Sequence, residues 1–273
     1  IHGGVSRNVV EDIANMELRP TFLSIVDESA LGDAVVRKLN NHKVNTEYIQ
    51  SAPNGMGTWL AVFDNNGDLA GSISQRPDLM PLLGVLEKKG DEIFANADSI
   101  IIEVDVDKEI VKKVVELCEK HQKKLYGVVS NMSIAVERRD FLQKFDCFIC
   151  NQLEAGMFFA DDFSETAPKE LAEILAKKLR LAKIPSMVVT MGGAGSVYAD
   201  MKGKKGFCPA KKVQVKDTTG AGDAFCAGVS SGLTYGKTLA ESVEIGTRLA
   251  ASVITSSENV CPRFLPGELG IEA

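Results

Sequence analysis

This sequence has little with which to hold a transition metal or a disulfide framework. Its three histidines, His2, His42 and His121, lie far from the only Cys-x-x-Cys, Cys147 and Cys150, and no second such pair exists. Six cysteines in 273 residues do not staple a chain of this length. The run 145–151 reads instead as a buried strand in which cysteines serve as small hydrophobes, and the expected compartment is a reducing one, the cytoplasm. Positive charge is also scarce. A net charge of −6 argues against a nucleic-acid-binding surface, so a phosphate would have to be met by local N–H groups and a metal. No run of eighteen apolar residues occurs, so no membrane span is expected. The opening Ile1-His2-Gly3-Gly4 is not the apolar segment of a signal peptide, and the missing initiator Met suggests a fragment or a trimmed chain. Internal repeats and low-complexity linkers are absent. What remains, with 45% hydrophobic and 25% charged residues, is ordinary soluble globular protein, long enough to bury a sizeable core.

Apolar strand-like runs alternate with amphipathic helices. Strands are expected at 99–104, 124–129, 147–150 and 186–191, and helices at 107–121, 133–143, after Asn151, and at 168–182. This β-α-β-α order predicts a mostly parallel sheet with helices on both faces, hence an α/β/α sandwich. Ligands of such sheets bind beyond the carboxyl ends of the strands, where Asn151, Thr190 and the Gly220 loop would fall. The segment 43–75 differs. Runs 59–63 and 69–73 flank Asn65-Asn66-Gly67-Asp68, a strong hairpin signal.

The richest stretch is Asp217-Thr218-Thr219-Gly220-Ala221-Gly222-Asp223-Ala224-Phe225, where a loop becomes a helix expected over 221–235. The first turn of a helix has unpaired N–H groups and the positive end of the dipole, and glycines there let a phosphate approach. Asp223 places a carboxylate in the same turn. Carboxylate and phosphate repel, so Asp223 should face a proton-bearing group beside the phosphate, such as an attacking hydroxyl. Near the start, Gly3-Gly4-Val5-Ser6-Arg7-Asn8 precedes a helix of about 8–16, and Asn8 both donates and accepts, which suits a pair of sugar hydroxyls. Asn151-Gln152-Leu153-Glu154 closes a strand and opens a helix, and Thr190-Met191-Gly192-Gly193-Ala194-Gly195-Ser196 links two strands. Gly236-Lys237-Thr238 is not a P-loop, because the required earlier glycine is replaced by Ser231.

The nine residues 217–225 resemble the C-terminal signature of the pfkB (ribokinase-like) carbohydrate kinases. The resemblance implies a ribokinase-like three-layer α/β/α fold with a small β lid at 43–75 inside one domain, 1–273. It implies that Asp223 is the base for the acceptor hydroxyl, and that the N–H groups of Gly220, Ala221 and Gly222 hold the transferred phosphate. Asn151 and Glu154 match the family's Asn-x-x-Glu, which organises Mg²⁺ and phosphate waters; Glu154 would reach the metal through water. Thr190, Gly192 and Gly195 match its nucleotide loop, with Thr218 and Thr219 also on the ATP side, and a helix at 239–255 falls where the family lines the adenine pocket. Gly3, Gly4, Arg7 and Asn8 match the acceptor element, whose Gly-Gly-Val-x-Arg-Asn form is most similar to the pseudouridine kinases of the family. The implied activity is ATP-dependent, Mg²⁺-assisted phosphorylation of a sugar or nucleoside hydroxyl, the 5′ hydroxyl of pseudouridine first. Ribose, fructose or an adenosine-like nucleoside, or a non-catalytic nucleotide-binding form, are the alternatives. The lid implies a homodimer. Some relatives also carry a monovalent-cation loop, to which no residue here is assigned. Family members usually begin with a strand, part of the lid and an acceptor-gripping Asp; this sequence starts two residues before Gly3, so those parts are expected to be missing from it.

Overall fold

The structure, a computed structural model, describes residues 3–63 and 69–272. A six-stranded sheet positions everything else. Its strands β5 (Ser99–Glu103), β6 (Lys124–Val128), β7 (Cys147–Asn151) and β8 (Ser186–Thr190) are parallel, and β9 (Ser196–Asp200) and β10 (Lys205–Cys208) add an antiparallel edge. These strands are apolar because helices cover both faces. On one face pack α3 (Pro81–Asn96), α4 (Lys108–His121), α7 (Gln152–Phe159) and α8 (Pro168–Ala182). On the other pack α1 (Val5–Asn15), α9 (Ala221–Thr234) and α10 (Leu239–Ile254). Strand β7 shows the alternation. Cys147 and Ile149 enter the α9 side and Phe148 and Cys150 the α8 side. The two cysteines of the Cys-x-x-Cys thus lie on opposite faces of the sheet, and burial pushes both thiols up from their ordinary value. All six cysteines are free.

Helix α8 spans the expected 168–182, with Pro168 opening it and Leu171, Leu175 and Leu179 fully buried. The expected helix at 133–143 is two short ones, α5 (Met132–Val136) and α6 (Arg139–Leu142). Between them the Arg138 backbone leaves the helical region while its guanidinium donates to the carbonyls of Val104 and Val106 at the sheet edge. The local backbone bond is kept there, the Arg138 N–H donating to the Ala135 carbonyl at 3.0 Å.

The segment 43–75 also divides. Its first part, with β2 (Ile49–Ser51), pairs in parallel with β1 (Ser24–Val26) and, across α2 (Ala30–Asn41), shares a small core of Val10, Val26, Val35, Leu39 and Val44 against α1. Ser29 caps α2 by accepting from the N–H groups of Leu31 and Gly32. Only β3 (Thr58–Phe63) and β4 (Leu69–Gln75) form the antiparallel hairpin, and the turn residues Asn65 to Asp68 lie outside the described ones. Just after β4, Arg76 donates to the carboxylate of Asp105 at 2.8 Å and to its carbonyl, tying the foot of the hairpin to the end of β5.

Candidate active site

The expected site residues gather on the carboxyl edge of the parallel strands. Glu103 ends β5, Asn151 ends β7 and Thr190 ends β8, with Asn151 and Thr190 paired across neighbouring strands. Helix α9 starts on the same side. Its N-cap Gly220 has φ 81°, and a Cβ there would sit 2.0 Å from the carbonyl oxygen of Asn259, so only glycine fits. At Gly222 a Cβ would meet nothing within 4 Å, so the helix start faces open space. The first amide bonded back to the N-cap carbonyl is that of Ala224, at 2.9 Å. A helix start therefore leaves the N–H groups of Gly222 and Asp223 without an intrahelical carbonyl. Ala221 differs from the expectation for it. Its N–H donates to the carbonyl of Thr218 at 3.2 Å. Upstream, Asp217 accepts from the N–H of Thr219 at 2.8 Å, which folds the exposed Thr218 and Thr219 over the helix start and holds the Asp217 carboxyl below its usual range.

Asp223 is half-buried, and its carboxylate accepts from the Asn8 amide at 2.6 Å, across 215 residues of sequence. Burial, opposed by that bond and by Arg7 but reinforced by the negative charge of Glu103, pushes its pKa up to about 7. Glu103 is a residue the sequence reading did not single out. It accepts from both the N–H and the hydroxyl of Ser6, at 2.9 and 2.6 Å. Its signal was present, as a charged residue closing an apolar strand at the ligand-binding edge. Asp12 was also missed, although it follows Asn8 by one helical turn. It is fully buried, accepts from the N–H of Cys261 at 2.6 Å, and burial pushes it up to about 8.

Arg7 does not face open space. It is buried and engages the Gly3 carbonyl, Glu11 and the Asn8 carboxamide. Gly3 and Gly4 leave the loop before α1 exposed, Gly4 with φ 101°. Asn151 and Glu154 form a capping box, the Asn151 N–H donating to Glu154 at 2.7 Å and the Glu154 N–H to Asn151 at 2.8 Å. Burial, and the nearby charge of Asp105, raise the Glu154 carboxyl above its usual range despite the Asn151 bond. Gly192 and Gly195 take φ 54° and 108°, and a Cβ on Gly195 would sit 2.2 Å from the Cys208 carbonyl oxygen. No hydrogen bond joins this loop to the 217–223 loop among the described residues. A cavity of about 550 Å³ lies on another flank of α1, between Glu11, Lys38, His42 and Arg263; Asp223 does not line it.

This edge, with a carboxylate beside open helical N–H groups, is arranged for phosphoryl transfer to a hydroxyl. A family profile described as pfkB family carbohydrate kinase matches residues 1–261. The chain belongs to the pfkB family. It is thus a kinase of the sugar and nucleoside class. A guanosine-inosine kinase of Exiguobacterium acetylicum is 34% identical over 260 residues, covering 94% of this pfkB chain and 85% of the relative. A pseudouridine kinase of Escherichia coli is 24% identical, covering 88% of this chain and 76% of the relative. The Arabidopsis thaliana ribokinase complexed with ribose and ATP superposes with TM-score 0.83 at 19% identity, covering 98% of this chain and 86% of the other, so the pfkB kinase has the ribokinase-like fold. No helix among the described residues is long and apolar enough to cross a membrane.

Proposed function

We propose that this kinase moves the γ-phosphoryl group of ATP to a ribosyl hydroxyl of a nucleoside. Asp223 carries the reading. It sits at an open helix start, and its pKa of about 7 suits a base that must take a proton near neutral pH. The hydroxyl proton passes to the Asp223 carboxylate, the hydroxyl oxygen bonds to the γ-phosphorus, and the bond from that phosphorus to the bridging oxygen breaks to release ADP. The N–H groups of Gly220, Gly222 and Asp223 face the charge that spreads over the phosphoryl oxygens; Ala221 joins them only by giving up its Thr218 bond. Thr190, Gly192 and Gly195 would take the donor phosphates, with Thr218 and Thr219 flanking them, and Asn8 with the Gly3–Gly4 loop the acceptor.

Mg²⁺ fits this edge. The half-buried Glu154, beside the like charge of Asp105, has one oxygen committed to its cap and lacks a cation partner among the described residues. Among the described residues no group of three or more ligating side chains surrounds it, so an ion there would be held largely by water and phosphate oxygens. Bound there, Mg²⁺ would neutralise phosphate charge.

Purine nucleosides are the favoured acceptors, because the 34% identical relative is a guanosine-inosine kinase. The case for pseudouridine rested on the Gly-Gly-Val-x-Arg-Asn motif. Arg7 in that motif is buried and committed, so it is not placed to read a base. Phosphate transfer from ATP assayed over guanosine, inosine, pseudouridine, adenosine, ribose and fructose tests the assignment. The highest kcat/KM is expected with guanosine or inosine. The Asp223→Asn variant should keep fold and ATP binding while losing turnover by orders of magnitude. ATP binding without transfer to any acceptor would instead mark a non-catalytic form.

A further inference from the structure

Asn8 meets Asp223 through a carboxamide, and a carboxamide has two ends. Turned one way it donates to the carboxylate; turned the other it sets oxygen against oxygen. The far side of Asn8 decides between them. Its Oδ1 accepts from the Arg7 guanidinium and from the Asn259 amide, the latter at 3.2 Å. A guanidinium has no acceptor, so a reversed Asn8 would press N–H against N–H there while repelling Asp223. We propose that Arg7 is a positioning residue whose guanidinium fixes the Asn8 carboxamide so that it donates to Asp223.

All three guanidinium nitrogens are used, each in a different direction. Nε donates to the Gly3 carbonyl at 2.9 Å, one terminal nitrogen pairs with Glu11, and the other reaches Asn8. Glu11 is itself fully buried and balanced by Lys38 at 2.9 Å, with His42 at 3.6 Å. Arg7 thus joins the loop before α1, Glu11 and the partner of the base, and Glu11 in turn meets Lys38 of α2. A lysine ammonium keeps the charge but not this planar fork. The inference rests on Asp223 being the base proposed above, but its effect is readable without turnover. Charged groups facing Asp223 are Arg7 and the buried Asp12 from α1 and Glu103 from β5. Arg7 and the Asn8 bond both favour the ionised form and Glu103 opposes it, while the charge of Asp223 in turn raises Asp12.

Carboxyl titration of Asp223 by ¹³C NMR, assigned with Asp223→Asn, separates positioning from plain charge. The proteins are wild type, Arg7→Met, Arg7→Lys, Asn8→Ala and the Arg7→Met/Asn8→Ala double variant. Arg7→Met and Arg7→Lys should each raise the Asp223 midpoint, Arg7→Met by about one pH unit. In the Asn8→Ala background, Arg7→Met should add clearly less, because its route through the carboxamide is gone. The acid limb of kcat/KM in Arg7→Lys should move in the same direction. An equal Arg7→Met shift with and without Asn8, or an unmoved midpoint in Arg7→Lys, overturns the proposal. If Arg7→Met does not fold, Arg7→Lys and Glu11→Gln, compared with and without Asn8, decide it on the same criterion. A protein that titrates as expected yet phosphorylates nothing leaves the positioning intact and removes the kinase assignment to Asp223.

Discussion

Two carboxyl groups at the centre of this molecule keep their protons well above the ordinary carboxylate range. Burial lifts Asp12 from 3.8 to about 8 and Asp223 to about 7, and their mutual charge adds to the shift at Asp12. The folded chain therefore holds protons that the unfolded chain releases from about pH 4 upward. Stability contributed this way is complete below that point and is lost as pH rises through 7 and 8. Melting temperature should fall between pH 5 and 8, on the order of the proton linkage, and Asp12→Asn should flatten that slope. A variant with the wild-type slope would show that Asp12 does not carry the linkage. At this scale the sequence was partly legible. Asn8 and Asp223 were readable because each sits in a motif whose chemistry needs that residue type. Arg7, expected at the acceptor, is buried and engaged with Gly3, Glu11 and Asn8. Its spacing to Glu11 places them one turn apart on a helix, but local spacing does not say that both will be buried or that Lys38 of α2 will meet Glu11.

Helices α9 and α10 show how packing overrides local propensity. They touch through glycines. A Cβ on Gly228 would lie 2.7 Å from the Gly246 Cα, and one on Gly246 would lie 2.7 Å from the Phe225 carbonyl oxygen. Gly→Ala within a helix ordinarily gains about 1 kcal/mol. Here the new atom meets backbone, and overpacking costs about 1–3 kcal/mol, so the second effect wins. Gly228→Ala should lower the melting temperature. Gly84→Ala in α3, where a Cβ would meet nothing within 4 Å, should raise it or leave it unchanged. Equal gains at both positions in calorimetry would refute the close-contact argument. The elements legible in sequence were those with strong local signals, such as α8 with its opening proline and regular leucines. Those missed, β1, α2 and α3 among them, take their burial from distant partners. The break between α5 and α6 belongs to the same class, since the Arg138 side chain at that break donates to carbonyls some thirty residues away.

Seen whole, the molecule carries a two-stranded sheet, β3–β4, apart from the six-stranded one. Hairpin β3–β4 exposes Leu60, Val62 and Ile73, and Leu60 pairs with Ile73 across the strands, so an apolar stripe runs along one face. Together with the family resemblance this supports the proposal that the hairpin is a lid through which two copies associate. Sedimentation should find a dimer in the wild type and a monomer in Leu60→Ser/Ile73→Ser at the same concentration; a wild-type monomer at tens of micromolar ends that proposal. The layers of the fold were legible because strand and helix periods alternate plainly from 99 onward. The small β1–α2–β2 unit was not, because its strands are three residues long. The joining of segments far apart in sequence has a consequence for biosynthesis. Asn8 finds Asp223 across 215 residues, and Asp12 finds Cys261 across 249. At ribosomal speeds, roughly 10–40 s separate the emergence of the first pair's members. Throughout that interval Asn8 and the buried Asp12 lack their late partners, although Glu11 already has Arg7 and Lys38, so a chain that stops before residue 223 carries no assembled centre.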